Sequence, residues 1–232
     1  MRPVFLIATN FVRTQWILLT LMLLYIVGIT GAFGWHSQRD EVLFFLRQQA
    51  YYALFLGSLV GIPAIQNERK TRRILAVLSK GIHRWQYIAG MLMGSGLIAA
   101  AYCLAVGLAT AWLCAQIGAS TAGLPALMLA LFLCCMAAAA VGLFWSVMMH
   151  PVLALTATGL TLVLPLLLPG RHLAFGESFP VLAIARGILH FDFGDSPGTL
   201  WKIGAAAVIH TIVFFLGASA IFARKDVTIA PE

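Results

Sequence analysis

Hydrophobic residues follow one another along this chain in long blocks separated by short polar breaks. A helix needs about 20 apolar residues to cross a bilayer, and six blocks approach that length: 16–34, 44–65, 85–117, 127–149, 152–168 and 203–223. The breaks carry turn-forming residues, as in 116–125, or a proline that disfavours helix before it, as in His150-Pro151. The pattern predicts an all-α integral membrane protein with six transmembrane helices.

Two further segments are too short or too polar to cross. The N-terminal segment 1–15 carries Arg2 and Arg13 and is predicted to lie along the membrane surface. No A-x-A-like cleavage site follows the first block, so the first span is predicted to be an uncleaved anchor. Segment 170–198 has a short apolar centre, which predicts a re-entrant or interfacial outer segment. Residues 1–232 are thus predicted to form a single transmembrane domain.

Composition excludes a water-soluble domain. Hydrophobic residues make up 61% of the chain and charged residues only 10%, with a mean hydropathy of +0.94. Soluble domains have about 45–50% apolar and about 25% charged residues. The net charge of +7 comes from basic residues at the ends of the blocks and in one internal segment, so we expect no nucleic-acid partner.

One internal segment, 66–84, holds a large share of the positive charge; we call it the basic segment. Six of the 15 Lys and Arg residues lie in it: Arg69, Lys70, Arg72, Arg73, Lys80 and Arg84. At about 100° per residue, Ile74, Leu75 and Leu78 fall on one side of a helix, and most of the charged residues fall on the other. This predicts an amphipathic helix lying along the membrane between spans two and three. Attraction to anionic lipid is the simplest role for its charge.

The distribution of basic residues predicts the orientation. If both termini are cytoplasmic, the inner side holds the six residues of the basic segment together with Arg2, Arg13, Arg224 and Lys225, ten of the fifteen. Cytoplasmic loops of membrane proteins carry such an excess of Lys and Arg. We therefore expect a multi-pass protein with the basic segment and both termini inside.

The order of residues in the basic segment resembles the region after the second span of type-2 ABC exporter permeases. The resemblance is carried by Glu68, Ile74, the run Val77-Leu78-Ser79, Gly81, Arg84 and Gly90. Arg72 and Arg73 stand where the family has Gly-Thr, Gly81 where it has Pro, and Met91 where it has Lys. The six-span layout, the outer segment 170–198 and the basic C-terminal tail are also similar to that family.

The resemblance implies a function for the basic segment: a cytoplasmic coupling helix that docks on a separate ATP-binding subunit. The residues implied to couple are Glu68, Arg69, Arg72, Arg73, Ile74, Leu75, Leu78, Ser79 and Arg84, with Arg13 beside the same interface. The implied assembly contains two ATPase subunits and a second copy of this chain or a homologous one. It lies in the bacterial inner membrane and admits a periplasmic or extracellular accessory protein.

Missing motifs agree with an external energy source. The chain has no GxxxxGK[ST] sequence, so ATP and Mg are expected on the partner ATPase, and this chain is predicted to bind no cofactor and to be no enzyme. No Asp or Glu lies in the core of a predicted span, which disfavours a self-sufficient ion-coupled carrier. His210 in span six is the main candidate for intramembrane chemistry, although a hydrogen bond between helices is the simpler role.

Small residues and thiols complete the expectations. Cys103, Cys114, Cys134 and Cys135 lie inside apolar blocks, so we expect neither a disulfide framework nor a metal site. Two GxxxG patterns, Gly57–Gly61 and Gly90–Gly94, permit close helix packing within or between protomers.

The spans offer few polar groups, which favours an amphipathic or hydrophobic substrate for an exporter. Two other interpretations stay open: an ABC permease of the cytochrome-maturation type, and a membrane scaffold or assembly factor that transports nothing.

Overall fold

The computed structural model describes residues 2–34, 39–70, 82–167 and 198–224. Within these ranges the regular structure is entirely α-helical and contains no strand. The described residues form seven helices: α1 Arg2–Thr14, α2 Trp16–Phe33, α3 Arg39–Lys70, α4 Arg84–Gln116, α5 Leu124–Met148, α6 Pro151–Leu167 and α7 Gly198–Arg224. The described part of the chain is thus all-α, as the hydrophobic blocks predict.

The breaks between α4, α5 and α6 fall where the sequence predicts them. α4 ends at Gln116, and Gly118 follows in the left-handed backbone region, with a φ of 66° that glycine adopts without steric cost. Pro125 lies in the first turn of α5, where its missing N–H is not needed. Pro151 begins α6 directly after His150. Local turn chemistry therefore determines these boundaries.

Three described helices are long and apolar enough to cross a membrane: α4, α5 and the part of α7 from Trp201 to Arg224. A fourth span results if α1 and α2, which meet at an angle of 61°, count as one bent unit. α3 is longer than any span requires but carries Arg47, Gln48 and Gln49 within its apolar block. α6 is apolar but short. The count of six spans stays a prediction.

α5 forms the centre of the bundle. In the most apolar 18-residue stretch of α5, 67% is buried, against 17% in that of α7. α3 packs against one side of α5 through Gly57 and Gly61, and α7 packs against another through Gly204 and Gly217. The run Ala137–Ala140 on α5 is buried throughout, because side chains this small let the neighbouring backbones approach closely.

α1 and α2 pack beside α4. Val4, Ile7, Ala8 and Phe11 of α1 contact the first turns of α4, and the ring of Trp112 on α4 covers Gly34 after the end of α2. α1 and α2 therefore pack against α4 along most of its length. Whether segment 1–15 lies on the membrane surface stays a prediction.

Candidate functional site

Most residues that the resemblance implies for coupling lie outside the described residues. Arg72, Arg73, Ile74, Leu75, Leu78 and Ser79 fall within 71–81, and the predicted outer segment 170–198 is described only at Gly198. The backbone of Glu68 and Arg69 belongs to α3, which continues helically to Lys70 beyond the predicted end of span two at Ile65. Their assignment to a coupling helix stays a prediction. Arg84 and Arg13 are described with their side chains.

The basic segment ends at a well-defined helix start. His83 is the N-cap residue of α4, with extended backbone at φ −65° and ψ 142°. Its backbone N–H donates to Oε1 of Gln86 over 3.2 Å, and its backbone oxygen accepts from the backbone N–H of Gln86 over 3.0 Å. Such a reciprocal arrangement satisfies donors that a helix start leaves unpaired. The chain thus enters α4 in a fixed direction at Arg84.

Arg84 attaches this helix start to the end of α7. Its Nη1 atom donates to the carbonyl oxygens of Phe222, over 3.1 Å, and of Ala223, over 3.0 Å. The last carbonyls of a helix have no partner within the helix, and they lie at the negative end of its dipole. A guanidinium suits this position, because its several N–H groups can bond the unpaired carbonyls and its positive charge interacts favourably with the negative end of the dipole. Arg84 therefore acts as a C-terminal cap supplied by another helix.

An aromatic contact lies directly beside this cap. Tyr87, one turn after Arg84, is buried, and its ring stacks on that of Phe222 with centroids 6.1 Å apart and an interplanar angle of 21°. Phe222 is fully buried as well. We call Arg84 and Tyr87 on α4, with Phe222 and Ala223 on α7, the α4–α7 joint. It combines charge-assisted hydrogen bonds with buried aromatic surface.

α1 covers a different part of α4. A Cβ atom on Gly90 would lie 2.8 Å from Cβ and Cγ2 of Ile7, and one on Gly94 would lie 2.8 Å from Cδ1 of Phe11. The second GxxxG pattern therefore packs α1 onto α4 within one chain. The contacts run in the same order on both helices. Arg13 thus lies at or beyond the level of Gly94, which is about 15 Å along α4 from Arg84 at 1.5 Å per residue.

Arg13 is exposed at the bend between α1 and α2. It and Arg84 are consequently at different levels of α4, and only Arg84 belongs to the α4–α7 joint. A role for Arg13 beside a partner interface stays a prediction.

A polar cluster inside the apolar helices was missed by the reasoning from sequence. The hydroxyl of Tyr102 on α4 donates to Gln49 on α3, 2.8 Å from Oε1 and 3.1 Å from the backbone oxygen. Nε2 of Gln48 donates to the hydroxyl of Tyr52 over 3.2 Å, and Tyr52 meets Tyr25 of α2 edge-on at 5.2 Å. The pair Gln48-Gln49 within an apolar block was the available signal. These contacts join α2, α3 and α4 at one level.

Gln49 is fully buried, and its Nε2 has no acceptor among the described residues. Burial of an unpaired amide donor costs free energy, so the Gln49 side chain contributes less to stability than its bond to Tyr102 alone would indicate. The cluster nevertheless qualifies the expectation that the spans offer few polar groups.

The four cysteines and His210 lie inside apolar helices. All four cysteines are free and buried, and the described residues contain no group of three or more His, Cys, Asp or Glu that could hold a metal. Nδ1 of His210 lies 2.7 Å from the carbonyl oxygen of Ala206, one turn earlier in α7. This contact lies within α7, and a hydrogen bond from His210 to another helix stays a prediction.

Grooves between the described helices are apolar. One of about 540 Å³ lies between α4 and α5 beside Leu104 and Phe132, and one of about 440 Å³ lies between α5 and α7 beside Leu133 and Trp201. A third of about 250 Å³ between α3 and α6 includes Thr158.

No protein-family model matches this chain, and no curated protein is significantly similar to it in sequence.

Proposed function

We propose that this chain is the membrane-spanning subunit of an ATP-binding-cassette exporter, driven by a separate ATPase subunit. The observation that carries the proposal is the attachment of Arg84. This residue ends the basic segment, the part of the sequence that resembles a coupling region, and its guanidinium holds the last turn of α7. A force applied to the basic segment would thus reach two helices of the bundle.

In the proposed topology the six spans are α2, α3, α4, α5, α6 and α7, as the hydrophobic blocks predict. Support comes from the apolar length of α4, α5 and α7, and from the lack of charged residues in α2. α3 carries Arg47 near its predicted outer end, where a long side chain can extend to the interface. Both termini and the basic segment are proposed to be cytoplasmic, in a bacterial inner membrane.

The proposed assembly has two such permease subunits above two ATPase subunits. The amphipathic pattern of 66–84 suits docking, because an apolar face around Ile74 and Leu78 can pack in a groove. Glu68, Arg72 and Arg73 can form ion pairs that fix the register. An amphipathic or hydrophobic substrate is proposed, in keeping with the apolar grooves beside α5.

The test is association with a P-loop ATPase encoded beside this chain. After co-expression we expect the wild-type chain to retain the ATPase in a pull-down, and the double variant Glu68→Ala, Arg72→Ala to lose most of it. Lys202→Ala is the matched control, because Lys202 is an exposed basic residue at the opposite end of α7 and should leave association unchanged.

Two results would decide against the proposal. Full association of the double variant would mean that the basic segment does not couple. If the wild-type chain associates with no ATPase and still assembles with other membrane proteins, a scaffold or assembly factor becomes the better description.

A further inference from the structure

We propose that Arg84 is a positioning residue through which the end of α7 follows movements at the start of α4. The inference rests on the proposed function, since it concerns how a displacement of the basic segment reaches the rest of the bundle. It goes beyond that function by naming the helix that receives the movement and the atoms that pass it on.

The geometry of the hydrogen bonds favours this role. Nη1 of Arg84 carries two hydrogens, and two successive carbonyl oxygens of α7, at 3.1 and 3.0 Å, accept from it. The two helices are far apart in sequence, so the attachment is tertiary and not part of a local turn. A rotation of α4 at Arg84 would pull on both carbonyls together.

Tyr87 supplies the second attachment point. Arg84 and Tyr87 are three residues apart, which places them on the same face of α4. Both contact Phe222, one through its carbonyl oxygen and one through its ring. Two contacts from successive turns restrain rotation as well as distance, so the joint behaves as a rigid connection and not as a pivot.

The remaining surroundings of α7 make this connection distinctive. α7 packs mainly against α5, and only 17% of its most apolar stretch is buried. α4 begins at Arg84, the last residue of the basic segment, with His83 as its N-cap. The α4–α7 joint therefore connects the end of the basic segment to the end of α7.

The experiment uses the full chain with its four native cysteines replaced by serine or alanine, reconstituted in nanodiscs. One spin label is placed at Trp85→Cys, at the exposed start of α4, or at Ala223→Cys, at the exposed end of α7. Spectra are recorded on complexes re-isolated with the bound ATPase, with and without a non-hydrolysable ATP analogue. Selecting bound complexes removes any effect of a variant on affinity.

In the otherwise wild-type chain we expect the analogue to change the spectra of both labels. In Arg84→Met the label at Trp85→Cys should still respond, whereas the response at Ala223→Cys should fall to less than a third. Phe222→Leu, which keeps Arg84 and removes the ring contact, should reduce the response at Ala223→Cys about twofold. Arg224→Met is the matched control. Arg224 is exposed and has no hydrogen-bond partner among the described residues, so this variant should leave both responses intact.

A second measurement does not need the ATPase. Labels at Leu108→Cys and Ala223→Cys lie near opposite ends of the bundle, because Leu108 is 24 residues, or about 36 Å, along α4 from Arg84. In the isolated chain their distance distribution should be narrow, should broaden in Arg84→Met and should stay narrow in Arg224→Met.

The outcomes separate the two proposals. If the label at Ala223→Cys responds equally in Arg84→Met and in the parent, or if the distance distribution does not broaden, the positioning role is wrong even though the ATPase binds. If the parent chain binds no ATPase, the proposed function fails, and the transmission role fails with it. A broadened distribution would then show that Arg84 is a structural cap alone.

Discussion

The hydroxyl of Tyr102 lies 2.8 Å from Oε1 and 3.1 Å from the backbone oxygen of Gln49, in the interior of the helix bundle. The hydroxyl can thus bond α3 through the side chain or through the backbone. Nε2 of Gln49, in contrast, has no acceptor among the described residues. The two partners of this pair therefore contribute unequally to stability.

We expect Tyr102→Phe to lower the free energy of unfolding by about 1 kcal/mol, which lies within the range measured for hydrogen bonds between membrane helices. Gln49→Met should cost less, about 0.5 kcal/mol or under, because the tyrosine keeps the backbone acceptor and a buried unpaired donor disappears. Unfolding in mixed detergent micelles measures both. A larger loss for Gln49→Met than for Tyr102→Phe would contradict the assignment.

Close packing of α3 on α5 predicts a strong response at Gly57. A Cβ atom there would overlap the carbonyl oxygen of Cys135 and lie 3.1 Å from Cβ of Ala138. Backbone cannot move aside as a flexible side chain can, so Gly57→Ala should destabilise the protein by about 1–3 kcal/mol.

The control for Gly57 is Gly28→Ala on α2, where a new Cβ meets nothing within 4 Å. Alanine has the higher helix propensity, so this variant should be neutral or slightly more stable. Thermal unfolding in detergent compares the two. Equal melting temperatures would mean that the α3–α5 contact is looser than described.

Gly90 predicts a local effect on α1. A Cβ atom there would lie 2.8 Å from two atoms of Ile7 and 3.1 Å from the backbone oxygen of Val4, so Gly90→Ala should push α1 away from α4. A spin label at the exposed Thr9→Cys on α1 should become more mobile. Gly159→Ala on α6, which meets nothing within 4 Å, should leave that label unchanged. An unchanged spectrum in Gly90→Ala would refute the α1–α4 contact.

The buried native thiols make a topology experiment straightforward. Because all four cysteines are buried, a membrane-impermeant maleimide should label the intact wild-type chain weakly. On intact cells, Thr121→Cys, exposed between α4 and α5, should be labelled, and Ser79→Cys should be labelled only after permeabilisation. Labelling of Ser79→Cys from outside would reverse the proposed orientation and remove the basic segment from contact with a cytoplasmic ATPase.

The two GxxxG patterns show what the sequence predicts about helix packing and what it does not. Glycines four residues apart predict a close helix contact but do not name the helix that makes it. In the structure Gly57 and Gly61 face α5, whereas Gly90 and Gly94 face α1, and all four contacts lie within one chain. The choice of partner depends on how the helices are arranged, which a spacing of four residues does not encode.

The sequence by itself determined the all-α class, the apolar helices and the breaks at Gly118 and Pro151, because these depend on local hydrophobicity and backbone preference. Only the tertiary structure decided that Arg84 caps α7 and that Gln49 meets Tyr102. Their partners lie 138 and 53 residues away in the chain. A polar side chain in an apolar helix indicates that it needs a partner. Only the packing of the helices brings a particular donor and acceptor within hydrogen-bond distance.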